Sequence, residues 1–443
     1  MKKLFVLAAM ITLIFAANNL FAGSVDALGN LSAEYARTLS RNASTDADAT
    51  VYNPAGLVFM QDGFYANVGV QFLLKDYRMK DENANPTANP WNAGKEFKSD
   101  VPSIIPNVSL VYKSDDWAAF FSFNAVGGGG KLEYAGGSPL LNTALVGGLI
   151  AAGLPAAMAA PAGSEIDKLT LESIYYGFTL GGSYKFNDMF SGGLGFRYVY
   201  GTKTFDIKNV ATPTVINNPL LGGLAVSGTK FANIGLTAHG FTGIASVNFT
   251  PMEELLVTLR YETPTILKWD TKYSGSALGG ALAGNLGYKD GETERKDLPQ
   301  VIAAGLSYRI IPDLTASLSF TYFMIKQANW KQHNGNKTNS DYSNGFDAAI
   351  ALEYSIIPTF LVSAGYMYTK TGGNSKTLND FEMALDSNSI AVGARYEPIP
   401  DLYINAGFQW AMYMDANGNP LAQNIKYSKD VKAIVVGAQY KFM

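Results

Sequence analysis

Apolar residues alternate with small or polar residues along about fourteen segments, which follow one another from residue 64 to the C-terminus. Within residues 401–410, one face of an extended chain carries Leu402, Ile404, Ala406, Phe408 and Trp410. Because successive side chains of a strand point to opposite faces, each segment has one face suited to lipid and one suited to water. The pattern predicts an all-β fold, a transmembrane antiparallel β-barrel formed by residues 64–443.

Tight turns and long loops join these segments alternately. Six short connections contain Pro, Asn or Asp, which favour turns, and lie at 114–116, 187–188, 251–253, 311–313, 356–358 and 398–400. Seven long connections lie at 75–105, 128–167, 208–235, 271–297, 331–342, 372–387 and 415–425. Six short and seven long connections give fourteen strands, and an even number places both chain ends on the short-turn side, which is periplasmic in outer-membrane barrels.

The composition excludes several other classes of protein. The chain has no cysteine and a net charge of -3, so it offers neither thiolate metal ligands nor the basic surface that nucleic-acid binding requires. Its 45 glycines, 25 tyrosines and 25 phenylalanines suit close strand packing and interfacial aromatic girdles. We expect no metal, no cofactor and no nucleic-acid partner.

The N-terminus predicts secretion. Lys2 and Lys3 precede an apolar stretch at 4–17, and Ala22 offers a cleavage site, so residues 1–22 are interpreted as a signal peptide. A retained membrane helix is the alternative, but the apolar stretch is short for a bilayer. A second apolar run, residues 140–163, consists mostly of Ala and Gly with two prolines, and favours an outer loop over a membrane span.

Residues 23–63 lack the alternation of the barrel and are rich in Ala, Ser, Asn and Asp. Such a segment can fill a barrel as a plug. Within it, the tetrad Asn53-Pro54-Ala55-Gly56 contains strong turn formers, and by itself it indicates only a turn.

In this setting the tetrad resembles the plug motif of the FadL/TodX family, whose members are outer-membrane transporters for long-chain fatty acids and other hydrophobic compounds. Further matches are Val101-Pro102, residues 114–117, residues 192–196 and Leu298-Pro299. The resemblance implies a barrel closed by an N-terminal hatch, apolar outer loops that capture ligand, and a lumen pocket that receives it. It also implies an inward kink in the third strand that opens a side exit.

The third strand contains residues compatible with such a kink. It runs through Phe123 and Asn124 into Gly127, Gly128, Gly129 and Gly130. Glycine weakens a strand and permits bulges, so a break in the ladder is plausible here. The alternative is a flexible strand end that leads into a long loop.

Cations in the lumen could hold a carboxylate head group. By alternation, inward positions include Arg197, Lys203, Arg260, Arg309, Lys331 and Arg395, with Glu262 and Glu353 as counter-charges. The resemblance singles out Arg197, Lys203 and Lys331, whose strands match those of the family's carboxylate-binding cations. Ionic groups inside a barrel also form structural networks with one another, and this alternative stays open.

The predicted outer loops are unusually apolar at 139–162, 219–226 and 277–283, which indicates either a ligand-binding surface or loops that pack on one another. Histidine occurs only at 239 and 333, so the sequence predicts no catalytic site.

We expect a monomeric barrel that passes hydrophobic molecules, most directly fatty acids, by diffusion. Its further partners would be outer-membrane lipid and the barrel insertion machinery. A water-filled porin, a channel for aromatic or alkane hydrocarbons, and a structural or adhesive barrel are the alternatives.

Overall fold

The computed structural model of the protein describes residues 32–83, 91–151, 166–209, 231–332, 335–418 and 424–442. The predicted signal peptide, residues 219–226, His333 and Met443 lie outside this part of the chain. Fourteen antiparallel strands form the wall of a closed barrel, which confirms the predicted fold class. They are β1 (Gly63–Asp81), β2 (Ser103–Ser114), β3 (Trp117–Ala135), β4 (Ile166–Lys185), β5 (Phe190–Asn209), β6 (Ala232–Met252), β7 (Leu255–Glu262), β8 (Val301–Ile311), β9 (Leu314–Phe323), β10 (Gly345–Ile357), β11 (Phe360–Lys370), β12 (Ser387–Ile399), β13 (Leu402–Tyr413) and β14 (Ile425–Lys441).

Pairing between the first and last strands closes the barrel. Tyr65 of β1 lies opposite Lys441 of β14, and the ladder continues to Asp81 opposite Ile425. Every other strand pairs with its neighbour in the sequence. Closure matters because the bilayer core offers no water to main-chain groups at a sheet edge.

The two faces of the wall differ as the alternation predicts. On β5, Leu194 and Phe196 point outward and are 69% and 56% exposed, whereas Ser191 and Arg197 are buried. An outward apolar face is what contact with lipid requires.

Residues 32–58 lie inside the barrel, and nearly all of them are buried. This described part of the predicted hatch contains α1 (Ala33–Thr38), α2 (Ala49–Tyr52) and a 3-10 helix (Pro54–Phe59). Its main chain runs so close to the wall that inward glycines leave no room for a side chain. A Cβ added at Gly193 would lie 2.6 Å from the Ala55 nitrogen. Hatch atoms would also obstruct a side chain at Gly305, Gly365, Gly393, Gly407 and Gly437.

The two ends of the barrel differ in their connections. The six tight turns fall at one end, here called the short-turn end. The other, the long-loop end, adds α3 (Pro139–Ala151), α4 (Ala277–Asn285), a 3-10 helix (Ile325–Gln327) and short strands at Glu96–Ser99, Lys268–Gly275, Thr293–Lys296, Trp330–Lys331 and Ala416–Gly418. A buried apolar cluster that includes Tyr134, Leu141, Leu169 and Tyr427 packs α3 against strands at this end.

The predicted loop starts at residues 75 and 128 were wrong, because β1 continues to Asp81 and β3 to Ala135. The end of β1 pairs with both β14 and Glu96–Ser99, and the end of β3 pairs with β4. The ladders therefore extend past the apolar section of each strand. Among the described helices, none has the length and apolar character needed to cross a bilayer.

Candidate functional site

Three serine hydroxyls from the wall hold the Asn53-Pro54-Ala55-Gly56 tetrad. Ser183 of β4 donates to the carbonyl oxygen of Pro54, and Ser191 of β5 donates to that of Ala55 at 2.9 Å. Ser246 of β6 accepts a hydrogen bond from the Ala55 N–H at 2.8 Å. Within the hatch, the Asn53 side-chain amide donates to the Ser44 carbonyl at 3.0 Å. The tetrad thus joins the hatch to β4, β5 and β6.

Charged side chains hold another part of the hatch. Arg37 is fully buried, donates to Glu353 of β10, and donates through Nε to the Asn405 side chain of β13 at 3.0 Å. Arg41 lies 2.7 Å from the Asp48 carboxylate and 3.8 Å from Glu353. The alternation predicts Glu353 as a counter-charge for cations of the strands. Its ion-pair partners are instead two hatch arginines, because the hatch fills the lumen beside it.

The carboxylates of the hatch have shifted pKa values. Burial, assisted by the Asp48 charge and opposed by Arg41, raises the pKa of Glu34 to about 7. Although burial acts against its charge, Arg41 and Arg395 lower the pKa of Asp46 to about 2. The hatch therefore keeps a charged Asp46, while Glu34 titrates near neutral pH.

A cavity of about 80 Å³, here called the central cavity, lies between the hatch and the wall. Arg197 of β5 lines it, together with Val126 of β3 and Tyr35 of the hatch. Arg197 lies 2.7 Å from Glu262, which also lies 3.4 Å from Arg260. Arg197 therefore already has a carboxylate partner inside the protein, in the kind of network that was the alternative to ligand binding.

A larger cavity of about 390 Å³, the upper cavity, opens at the long-loop end. Lys203 and Lys331 line it beside apolar side chains such as Phe205 and Phe381. The Lys203 ammonium lies 4.5 Å from the centre of the Trp269 ring, a cation–π distance. Lys331 lies on the short strand Trp330–Lys331, beyond the end of β9. The structure therefore brings Lys203 and Lys331 to one cavity and places Arg197 in another.

The pairing of β2 with β3 stops partway along both strands. The last ladder pair is Asn107 with Asn124, and among the described residues the ladder between β2 and β3 continues no further. Beyond this pair, β3 stays paired with β4, but its register shifts twice between Ala125 and Gly130. Gly128 and Gly130 have φ values of 77° and 90°, which favour glycine. The glycine run therefore bends β3 within a continuous strand rather than ending it.

We call the resulting gap the window. Its limit towards the short-turn end is the Asn107–Asn124 pair, and its limit towards the long-loop end is the hydrogen bond from Glu133 N–H to Ser99 Oγ at 2.9 Å. Phe123 lies on the outer face beside it and packs against the rings of Tyr176 and Phe178. On the inner side, Val126 lies in the section of β3 beyond the last pair with β2 and lines the central cavity.

Pro106 is a residue of the window that sequence reasoning missed. It is the first residue of β2 beyond the last pair with β3, and it has no N–H to donate to a neighbouring strand. Proline within a strand is tolerated mainly at unpaired edges. Its presence in an otherwise regular strand was a usable signal.

Comparison with known proteins fits this architecture. Residues 13–443 match the sequence profile of the family described as outer membrane protein transport protein (OMPP1/FadL/TodX). The chain belongs to this family. Its members are outer-membrane β-barrel transport proteins of Gram-negative bacteria. A search of curated protein sequences finds no significant match.

Solved structures of the family share the fold. A Pseudomonas aeruginosa FadL homologue is 16% identical, with a TM-score of 0.69 over 95% of this chain and 100% of that one. The Pseudomonas putida toluene transporter TodX is 16% identical, with a TM-score of 0.64 over 95% of this chain and 100% of that one. The Ralstonia pickettii toluene transporter TbuX is 15% identical, with a TM-score of 0.57 over 90% and 94%. At such identities the likeness supports the fold alone.

Proposed function

We propose that the protein carries hydrophobic molecules, with long-chain fatty acids as the first candidate, across the outer membrane by passive diffusion. Cargo enters at the long-loop end, passes the upper and central cavities, and leaves sideways through the window. The short-turn end and both chain ends face the periplasm in this proposal. The window carries the argument, because it breaks the wall beside a cavity while the hatch fills the lumen.

The path through the hatch is poorly suited to cargo. Arg37, Glu353, Arg41 and Asp48 form a buried ionic cluster there. An apolar molecule that followed the barrel axis would have to break these pairs, and breaking a buried pair costs about 3–5 kcal/mol. A sideways exit avoids this cost.

The upper cavity suits an amphiphile. Its apolar side chains can bury an acyl chain at about 0.8 kcal/mol per methylene, which is sufficient to extract a long chain from water. Lys203 and Lys331 line the same cavity and can attract a carboxylate. Toluene, the cargo named for TodX and TbuX, would use the apolar side chains without the cations.

Organic extracts of the purified protein test the class of cargo. We expect mass spectrometry to find fatty acid enriched over an unrelated barrel prepared in the same short-chain detergent. An empty protein that conducts ions in planar bilayers would overturn the proposal in favour of an aqueous porin.

Uptake by the Lys203→Met variant distinguishes fatty acids from hydrocarbons as the class of cargo. We expect fatty acid uptake to fall while toluene uptake, if any, is unchanged, because only the fatty acid has a charge for Lys203 to attract. Lys272→Met is the matched control, since Lys272 is exposed on Lys268–Gly275 outside the upper cavity. Equal fatty acid uptake by both variants would contradict carboxylate capture by Lys203.

A further inference from the structure

The window leaves an edge of β3 without its neighbour β2. Main-chain groups at a sheet edge are costly when they lack hydrogen-bond partners, above all in a membrane. Along this edge, the Gly129 and Lys131 carbonyls and the Glu133 N–H all contact groups outside the ladder. Residues 129, 131 and 133 are spaced two apart, and main-chain groups with this spacing face the same edge of a strand. The edge therefore has partners from elsewhere in the protein.

One lysine supplies two of these partners. Lys75 projects from the inner face of β1, and its Nζ donates to the Lys131 carbonyl at 2.7 Å and to the Gly129 carbonyl at 3.2 Å. Its side chain is 4% exposed. Because β1 and β3 are separated by β2 nearer the short-turn end, this contact reaches across the place where β2 is missing.

We propose that Lys75 is a latch that holds β3 in its bent path and keeps the window open. It is a positioning residue, because it acts on β3 and not on the cargo, and its role in uptake rests on the proposed function. The mechanism is stabilisation of the bent path: the Lys75 ammonium satisfies two carbonyls in the bent section of β3 and ties that section to β1. Without the ammonium the bent section loses both hydrogen bonds, so a straighter path, with further pairing to β2, becomes relatively more favourable.

The register of the paired section defines where a straightened β3 would lie. Asn107 pairs with Asn124 and Ser109 with Ser122, so continued pairing would bring Ile105 opposite Val126. Paired residues on antiparallel strands have Cα atoms about 4.5–5.5 Å apart, within disulfide range. The chain has no cysteine of its own, so a cysteine pair at these two positions reports straightening without background.

The experiment measures disulfide formation in Ile105→Cys/Val126→Cys on non-reducing gels, in the full-length protein under mild oxidation. We expect little disulfide with Lys75 present. With Lys75→Met the trapped fraction should rise at least about tenfold, because losing one charge-assisted hydrogen bond corresponds to that ratio and the variant loses two. Lys75→Arg keeps a cation with several donors and should restore the low value.

Two controls isolate the latch. Lys429 of β14 is also a buried inward lysine, but its ammonium lies over the Tyr77 and Tyr413 rings and not on the edge of β3, so Lys429→Met should not raise the trapped fraction. Ser109→Cys/Ser122→Cys lies in the paired section and should form a disulfide in every background, which verifies folding and oxidation.

Different results would overturn the latch and the proposed sideways exit. A trapped fraction that stays low in Lys75→Met, with the Ser109 and Ser122 control pair oxidised, overturns the latch whatever the uptake. A high fraction together with lost uptake supports both the latch and the sideways exit. A high fraction together with normal uptake supports the latch and overturns the exit through the window.

Discussion

Removal of the Arg37 charge should loosen the hatch. In Arg37→Met, Glu353 loses its closest ion-pair partner and Asn405 loses a hydrogen bond at 3.0 Å. Breaking a buried pair costs about 3–5 kcal/mol, and Arg41 at 3.8 Å still faces Glu353, so the lower end applies. About 3 kcal/mol corresponds to a decrease of about 100-fold in the ratio of docked to undocked hatch.

Single-channel recording in planar bilayers measures this ratio as the frequency of ion-conducting openings. We expect openings in Arg37→Met to be about 100-fold more frequent than in the wild type, by the same arithmetic. Arg37→Met/Glu353→Gln should be closer to the wild type, because no unpaired buried charge remains. Lys289→Met is the control, since Lys289 pairs with Glu292 on the surface. An Arg37→Met protein as closed as the wild type would refute the view that this pair holds the hatch.

Three further predictions concern the hatch and the window. Deletion of residues 23–62 should give a folded barrel that conducts ions continuously, and a closed deletion variant would show that these residues are no plug. Gly128→Val should lose uptake while keeping the heat-modifiable mobility of a folded barrel, because a Cβ there would collide with the Ser173 carbonyl and force the bent section of β3 off its path; Gly235→Val, with open space around it, is the control. Normal uptake in a folded Gly128→Val protein would argue against the window. Hatch docking should weaken as pH rises from about 4.5 to about 7, because burial raises the pKa of Glu34 above its unfolded value, so the docked hatch binds the extra proton in that interval. Channel openings should accordingly be more frequent at pH 8 than at pH 5, and Glu34→Gln, whose amide oxygen can still accept from Asn67 and Asn405, should remove the difference.

The fold was predictable because lipid and lumen impose opposite demands on the two faces of each strand. Residues 402–410 show this, as their apolar residues include the outward Ile404 and Phe408 of β13. The strand ends at the long-loop end were less predictable, because lipid no longer selects apolar side chains there. Asp76, Arg78 and Lys80 therefore resembled a loop, although they belong to β1.

The candidate site was only partly accessible from the sequence. The Asn53–Gly56 tetrad and the glycines after Asn124 use residue types whose backbone preferences are local, so they could be located without a structure. Lys75 could not, because its role depends on the register of β1 against a distant part of β3. The separation of Arg197 from Lys203 likewise depends on where the hatch fills the lumen.

The most direct test of the account uses a thiol reagent to block two routes separately, the sideways exit through the window and the exit along the barrel axis. The chain has no natural cysteines that would react as well. Val126→Cys places the thiol in the central cavity, on the section of β3 that borders the window, and Ser307→Cys places it in the cavity of about 570 Å³ at the short-turn end. After modification with benzyl methanethiosulfonate, verified by mass, fatty acid uptake should be lost in Val126→Cys and retained in Ser307→Cys. Loss in Ser307→Cys with retention in Val126→Cys would show that cargo leaves along the barrel axis, and would contradict the central claim.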